Sequence, residues 1–501
     1  MRISTQMFYD RSVTSVVKRQ ANLSELQTHL SEQKEVVHGS DDPVAISAIQ
    51  RLRQDISVSE KHIQNGELAA NSNAIEETSI AQAVNLLQRS RELLVAAGNG
   101  TYNTDNREAL ATELEQVREE LIGVANTRDA NGQYIFSGYE VDTQPFQVNE
   151  FGTVDYHGDD GVRNYQIGPG VKISGNEAGD YAFMNIATGN GTYLSSVADS
   201  NQGSGVIDEA QVIDETVHST FSGNSYSISM NEPTPGADIE YRVYGIKQTA
   251  TFTGSATVKI ASLDPTDAGF ATQQPTALYP EANGTTNIVF TQTAPNTFDV
   301  IVGGNTAVPQ YDSSNTNPQT VVVNGVSLEI SGTPVTGDTM ELTAFVGATQ
   351  YEENQDIEFN GLKTQIKGKP FDKDVMYLEP ASQQSVFATL QQAIAALRIP
   401  GEGDVIEAKI ENQLNMSKLQ VDSALDRVKN IRSSVGARLN TIERQRESSE
   451  DFKLTSQKVL SQLEDLDMAE AISEFQLELT SLQVAQQTFV QLQNLSLFNF
   501  L

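Results

Sequence analysis

The chain has 501 residues, with 33 basic and 66 acidic side chains and a formal net charge of −33. That length allows roughly three units of about 150 residues each, and that charge repels phosphate backbones and anionic head groups, so nucleic acid and membrane surfaces are poor partners. With no cysteine there is no disulfide, thiolate nucleophile or cysteine zinc site.

The opening "MRISTQMFYDRSV" has one basic flank but no apolar core of about 7 to 15 residues, so it is not read as a secretory signal. No apolar run approaches the ~18 residues of a membrane helix, so no membrane insertion is expected. Val13, Val16, Leu23, Leu26 and Leu30 form a thin helical stripe that Gln20 and Gln27 interrupt. Next, "HGSDDPVAISAIQ" at 38–50 sets Asp41 and Asp42 before Pro43. Paired acids can hold a hard cation or share a proton. A proline at the first helical position loses nothing by lacking its N–H, and an acid before it accepts bonds from open amides, so Asp41, Asp42 and Pro43 are predicted to be a helix cap.

Ala45, Ile49, Leu52, Ile56 and Ile63 continue as a second stripe, with Ser59 in the missing step. "AAGNGTY" at 96–102 is a glycine-rich turn ending a helix. Leu110, Leu114, Val117, Leu121 and Val124 step by 4 and 3 along a third helix, and Asp105 with Glu108 predicts a capping-box start. "HGDDG" at 157–161 has the composition of a metal loop but lacks the following acid, and is expected to be a solvated turn.

Thirteen of the fifteen prolines lie between Pro145 and Pro380. Because an internal proline costs a helix about 3 kcal/mol, the ends are free to be helical and the middle is not. Residues 146–380 read as short β-prone runs split by Gly, Asn, Pro and Asp turns. Within them "VNGVSLEISGTPVTGDTMEL" (Val323–Leu342) matches "FNGLKTQIKGKPFDKDVMYL" (Phe359–Leu378) at a constant offset of 36 residues, which predicts a strand, turn and strand unit used twice. Beyond them, Val428, Val435, Leu439 and Ile442 resume the helical period. Met468, Ile472, Phe475, Leu479, Leu482, Phe489 and Leu492 then mark a coiled-coil seam, with Ala485 in the gap.

The expected fold is α+β multidomain, with long helical or coiled-coil domains built from both termini and an inserted all-β middle region. The divisions are 1–40 with 460–501 as terminal assembly helices, 41–145 with 381–459 as a helical body, and 146–380 as a β-rich insertion of one or two subdomains. The five histidines lack paired metal spacing, and no nucleophile elbow, phosphate loop or dinucleotide fingerprint is present. The chain is therefore not expected to be an enzyme, and no catalytic, cofactor or metal residues are assigned. The two thin terminal stripes gain little alone and must pack on each other or on another molecule.

"SDDPVAISAI" at 40–49, "NTRDANGQYIFSGYEVDTQPF" at 126–146, "QQSVFATLQQAI" at 383–394, "SSVGARLNTIE" at 433–443, "SQLEDLDMAEAISEF" at 461–475 and "NLSLFNFL" at 494–501 together resemble the flagellar hook-associated protein 3 family, relatives of flagellin. Pro43, Val44 and Ala45 stand where flagellins usually carry Ala-Ala-Gly, while the middle is much longer than is usual in the family. The resemblance implies a structural adapter joining hook to filament, exported without a cleavable signal and located outside the cell at the hook-filament junction. It also implies terminal helices that order on assembly. Its implied partners are further copies in a ring-like or helical assembly, a hook-side hook-associated protein, filament flagellin, and an export chaperone with the flagellar export apparatus. A filament-forming flagellin, or an adapter whose β insertion also binds a surface ligand, are the alternatives. Val13, Val16, Leu23, Leu26, Leu30, Met468, Ile472, Phe475, Leu479, Leu482, Phe489 and Leu492 are the expected assembly contacts.

Overall fold

The computed structural model describes residues 5–98, 102–221, 223–248, 252–263, 285–302, 304–315, 318–323 and 326–498. Residues 99–101 of the glycine-rich turn, Asn324 and Gly325 of the first repeat, the Leu492 side chain and residues 499–501 lie outside that description. The helices are α1 (Thr5–Glu32), α2 (Pro43–Ala97), α3 (Thr104–Ala125), a short α4 (Glu215–Thr220), α5 (Val386–Leu397), α6 (Asp404–Glu464) and α7 (Met468–Phe498). Helical ends therefore flank a β-rich middle. Two compact units divide the chain, residues 1–71, 164–175 and 437–501 in one and 72–163 and 176–436 in the other, with boundaries inside α2 and α6.

In the first unit, Ile49 and Ser59 of the second stripe are buried, and Ala45, Leu52, Ile56 and Ile63 are half-buried. A hairpin, Asn164–Gly168 with Val171–Ser174, lies in this unit rather than with the other strands. Its Ile167 packs against Ala69 and Ile442. A Cβ at Gly66 would lie 3.8 Å from Ile442 and 4.0 Å from Ile167, an ordinary contact that this packing accepts.

In the second unit, Leu114, Val117 and Leu121 of α3 are buried, with Leu110 and Val124 half-buried. The α3 start differs from expectation. Asn103 is the N-cap and accepts from the Asn106 amide at 2.9 Å, while Asp105 lies inside the first turn. An Asn side chain reaches the N3 amide as readily as an acid does, and Asp105 is left to oppose the helix dipole. Phe136, Phe146, Phe183 and Phe387 form a buried aromatic cluster with ring separations of 5.3 to 6.0 Å. In "HGDDG", Asp159 Oδ1 accepts from the amides of Tyr139 and Gly161 and so holds a turn. Two short helical pieces lie within the β middle: a π-turn at Asp180–Met184, and α4, which Asp214 caps through the amides of Thr216 and Val217.

The main sheet has the spatial order Asn305–Thr306, Thr297–Val302, Thr285–Ala294, Thr339–Gln350, Glu240–Gln248, Ser225–Asn231, Val375–Pro380 and Tyr193–Val197. The sequence repeat is visible in it and extends further than the sequence match. Val326–Ser331 and Leu362–Lys367 are equivalent strands, each leading through a turn to equivalent strands beginning at Thr339 and Val375. Their partners correspond as well. Thr257 pairs with Ser331 as Val206 pairs with Lys367, and Gln248 pairs with Met340 as Val197 pairs with Met376. Val289 pairs with Thr339 as Ser229 pairs with Val375.

Two copies of one β-sandwich follow from these registers. The outer copy is built from residues 193–231 and 356–380, and the nested copy, from 240 to 350, interrupts it between the two. The join is tight: Glu240 pairs with Gln350, and the Tyr351 amide donates to the Ile239 carbonyl at 2.8 Å. Each copy centres on its own core, although Tyr241 and Val243 at the start of the nested segment pack in the outer one. Tyr193, Tyr226, Phe359, Ile366 and Met376 belong to the outer one, and Tyr244, Phe290, Val323, Ile330 and Met340 to the nested one. Because Tyr244 pairs with Ala344, excising 245–343 and joining those two residues through a short Gly-Ser linker closes only a small hairpin and leaves Tyr241 and Val243 in the outer core. The shortened chain is expected to keep a cooperative thermal transition and unchanged helical circular dichroism; loss of either shows that the outer copy depends on its guest.

Candidate functional site

The candidate site is the paired helices α1 and α7 of the first unit, together with the junctions that follow and precede them. The two helices run antiparallel. Lys34 pairs with Asp465 in a short bridge, and Arg19 Nη1 lies 3.0 Å from Glu478 Oε2. Val13, Val16, Leu23, Leu26 and Leu30 are half-buried on α1, while Gln20 and Gln27 are exposed. The step missing between Val16 and Leu23 is filled by Arg19, so the break in the apolar stripe carries an interhelical ion pair.

On α7 the inward positions are Ala471, Phe475, Glu478, Leu482, Ala485 and Phe489, with alternating steps of 4 and 3. Met468, Ile472 and Leu479 lie beside this seam and are exposed. The sequence stripe thus drifts from the packed one. Small Ala471 and Ala485 allow close approach and Glu478 is drawn inward by Arg19, so the packed face joins them to Phe475, Leu482 and Phe489 and leaves out Met468, Ile472 and Leu479. Leu477 and Val484, seven residues apart on the far side of the helix, are 70% and 56% exposed. More than half of the exposed large hydrophobics among the described residues lie in this unit, which is less than a third of the chain.

The junctions lock the helix ends together. Gln33 takes a left-handed backbone with φ of 57°, which ends α1. The Glu35 amide then donates to the Glu464 carbonyl at 2.7 Å, and the Leu466 amide to the Gln33 carbonyl at 3.1 Å. Glu464 is buried and receives Lys34 Nζ at 2.9 Å and Arg53 Nη2 at 2.5 Å. Burial pushes its carboxyl up, but hydrogen bonds and charge from Lys34 and Arg53 outweigh this and hold it below the ordinary glutamate value. Nothing in the sequence distinguished Glu464 from the other acids, since its partners lie far away in the chain.

A lowered folded-state value stabilises above the unfolded value and is lost as pH falls through the folded one. Glu464→Gln is therefore expected to weaken the junction by about 1 to 3 kcal/mol at neutral pH. Hydrogen exchange at the Glu35 and Leu466 amides reads this directly, and the difference from wild type should shrink as pH falls below the unfolded glutamate value and vanish below the lower folded one. Equal protection in both proteins at pH 7 would rule the clamp out.

At the next turn, Asp42 Oδ1 accepts from the amides of Val44 at 2.8 Å and Ala45 at 3.0 Å, with Pro43 as the first residue of α2. Asp41 has a different task. Its Oδ2 accepts from His38 at 2.7 Å and Val37 at 3.1 Å, holding the preceding turn, and the His38 bond leads the effects that keep its carboxyl below the usual range. Glu25 and His29 bring further ligand-type atoms within 4.8 Å of Asp41. His29 Nδ1 lies 3.0 Å from the Lys34 carbonyl oxygen. No helix among the described residues is long and apolar enough to cross a membrane.

Comparison with known proteins places both ends of the chain. The family pattern for the bacterial flagellin N-terminal helical region matches residues 3–141, and that for the bacterial flagellin C-terminal helical region matches 419–501. Flagellar hook-associated protein 3 of Salmonella typhimurium is 37% identical over 158 residues, covering 32% of this chain and 49% of the relative. Its counterpart from Escherichia coli K12 is 36% identical over 146 residues, covering 29% and 46%. The chain thus spans about half the length of the curated relatives it matches. A flagellar filament 41 kDa core protein from Borreliella burgdorferi is 26% identical over 132 residues, covering 26% of this chain and 39% of that protein. Among solved structures, flagellar hook associated protein-3 from Legionella pneumophila aligns with a TM-score of 0.60 at 23% identity, over 83% of this chain and 98% of that one, a likeness of fold. The chain resembles the hook-associated protein 3 group at its helical ends.

Proposed function

We propose that the chain is a structural adapter subunit of the bacterial flagellum, joining hook to filament, rather than an enzyme. The identity to hook-associated protein 3 sequences, which exceeds that to the filament core protein, is the observation that carries this reading. The exposed apolar surface on the helical unit supports it physically, since copies of a subunit must cover one another. In this reading α1 and α7 meet neighbouring copies in a ring or an open helical stack, because a heterologous contact that does not close propagates. Ordering of those helices is completed only when neighbours are present, so the subunit stays monomeric until concentrated at the growing tip.

Its partners are then further copies of itself, a hook-side hook-associated protein, flagellin, and an export chaperone with the flagellar export apparatus. Its place is outside the cell at the hook-filament junction. A filament-forming flagellin is the second reading, favoured by the two flagellin patterns. Electron microscopy of cells lacking the gene, with an immunoblot of the medium, separates them. Hooks without filaments, with filament protein released into the medium, is the expected result. Intact filaments on the mutant would sink the adapter reading.

A further inference from the structure

The nested β-sandwich leaves a cleft of about 740 Å³ against its host. On the host side the loop Phe371, Asp372 and Lys373 and the strand residue Tyr377 line it, and Lys259 and Glu329 of the nested copy face them. The two walls are tied together. Lys259 Nζ lies 3.0 Å from Glu379 Oε1 and 5.5 Å from the centre of the Tyr377 ring, and the Tyr377 hydroxyl donates to the Ile260 carbonyl at 2.9 Å.

The duplication supplies an internal comparison. The loop equivalent to Phe371-Asp372-Lys373-Asp374 in the nested copy is Val335-Thr336-Gly337-Asp338, and it does not line the cleft. Both loops are pinned the same way. Asp374 accepts from the amides of Phe371, Gln202 and Gly203, and Asp338 from those of Val335, Thr253 and Gly254. Both place the residue before that aspartate in the left-handed region, with φ of 92° at Gly337 and 68° at Lys373. Glycine accepts this conformation freely, whereas a lysine there is strained. So where the loop borders the cleft it carries an exposed aromatic ring, an acid and a strained lysine, and where it does not it carries Val, Thr and Gly. Phe371 is 53% exposed. The loop backbone does not depend on the aromatic ring or the lysine, since the sister loop keeps it without them, whereas Asp372 accepts from the Glu232 amide at 2.9 Å as Thr336 accepts from that of Gln292 at 3.1 Å.

We propose that this cleft binds an uncharged glycan. An aromatic face at the rim packs against the C–H face of a sugar ring, while carboxylates and an ammonium exchange hydrogen bonds with its hydroxyls. Clefts between subdomains are frequent ligand sites. Phosphorylated, sulfated or sialylated ligands are disfavoured by Asp372 and Glu329, with Lys259 already paired to Glu379. An apolar ligand is disfavoured by the charged walls.

This proposal does not rest on the adapter reading, and its test leaves assembly untouched. The full chain is applied to an array of neutral and acidic glycans, and neutral hits are titrated by calorimetry as free oligosaccharides. Phe371→Ala is expected to weaken binding tenfold or more. Lys373→Gly, which installs the residue of the sister loop, is expected to weaken binding while keeping or raising the thermal midpoint. Absence of any neutral glycan among the hits, binding confined to acidic glycans, or affinity unchanged in both variants would each overturn the proposal.

Discussion

Asp374→Ala is expected to destabilise the outer β-sandwich by about 3 to 5 kcal/mol, because three amides lose their acceptor in a water-poor site. Asp374 is buried and its two oxygens gather Phe371, Gln202 and Gly203 from two separated segments at 2.7 to 3.0 Å. The measurement is thermal or urea unfolding of the full chain, and a shift smaller than 1 kcal/mol would show that the loop stands without it. Asp338→Ala should act in the same way on the nested copy. There burial pushes the Asp338 carboxyl up, and donation by the amides of Val335, Thr253 and Gly254 outweighs this and holds it below the usual aspartate value. Its contribution is therefore present above the unfolded aspartate value and lost as pH falls through the lower folded one, so acid should loosen the nested copy in the wild type and not further in Asp338→Ala.

If the chain is the proposed adapter, Leu477→Asp combined with Val484→Asp is expected to abolish stable incorporation into the flagellum without unfolding the subunit. Both side chains are exposed on the far side of α7 from Phe475 and Leu482. Carboxylates cost little there in the free chain, but each covered apolar side chain is worth about 1.5 to 3 kcal/mol, and a buried unpaired charge adds to the loss. Helical circular dichroism and secretion should match wild type, while filaments should be missing or shed. Phe475→Asp with Leu482→Asp makes the contrast, since those side chains pack within the α1 and α7 pair and their loss should lower helicity in the free protein as well. If the Leu477 and Val484 variant assembles normally, that face of α7 is not the contact surface.

The helical ends and the β middle were legible in the sequence because period and proline placement are local properties of the chain. The stripe through Ala45, Ile49, Leu52 and Ile56 faces inward as its spacing indicated, and the acid pair before Pro43 sits at the start of α2. The 36-residue repeat was legible too, since strand, turn and aspartate recur at fixed spacing. What spacing could not decide was which face of α7 packs: Glu478 is drawn inward by Arg19, 459 residues away, and displaces the stripe that Met468, Ile472 and Leu479 suggested. The other halves of the duplicated sandwich escaped notice because their equivalent segments, such as those at Tyr193 and Tyr244, keep register and backbone bonds but few side chains. Local periodicity writes secondary structure into a sequence. The Glu464 clamp, the phase of the terminal seam and the cleft beside Phe371 depend on pairs of residues far apart in the chain, and only folding brings those together.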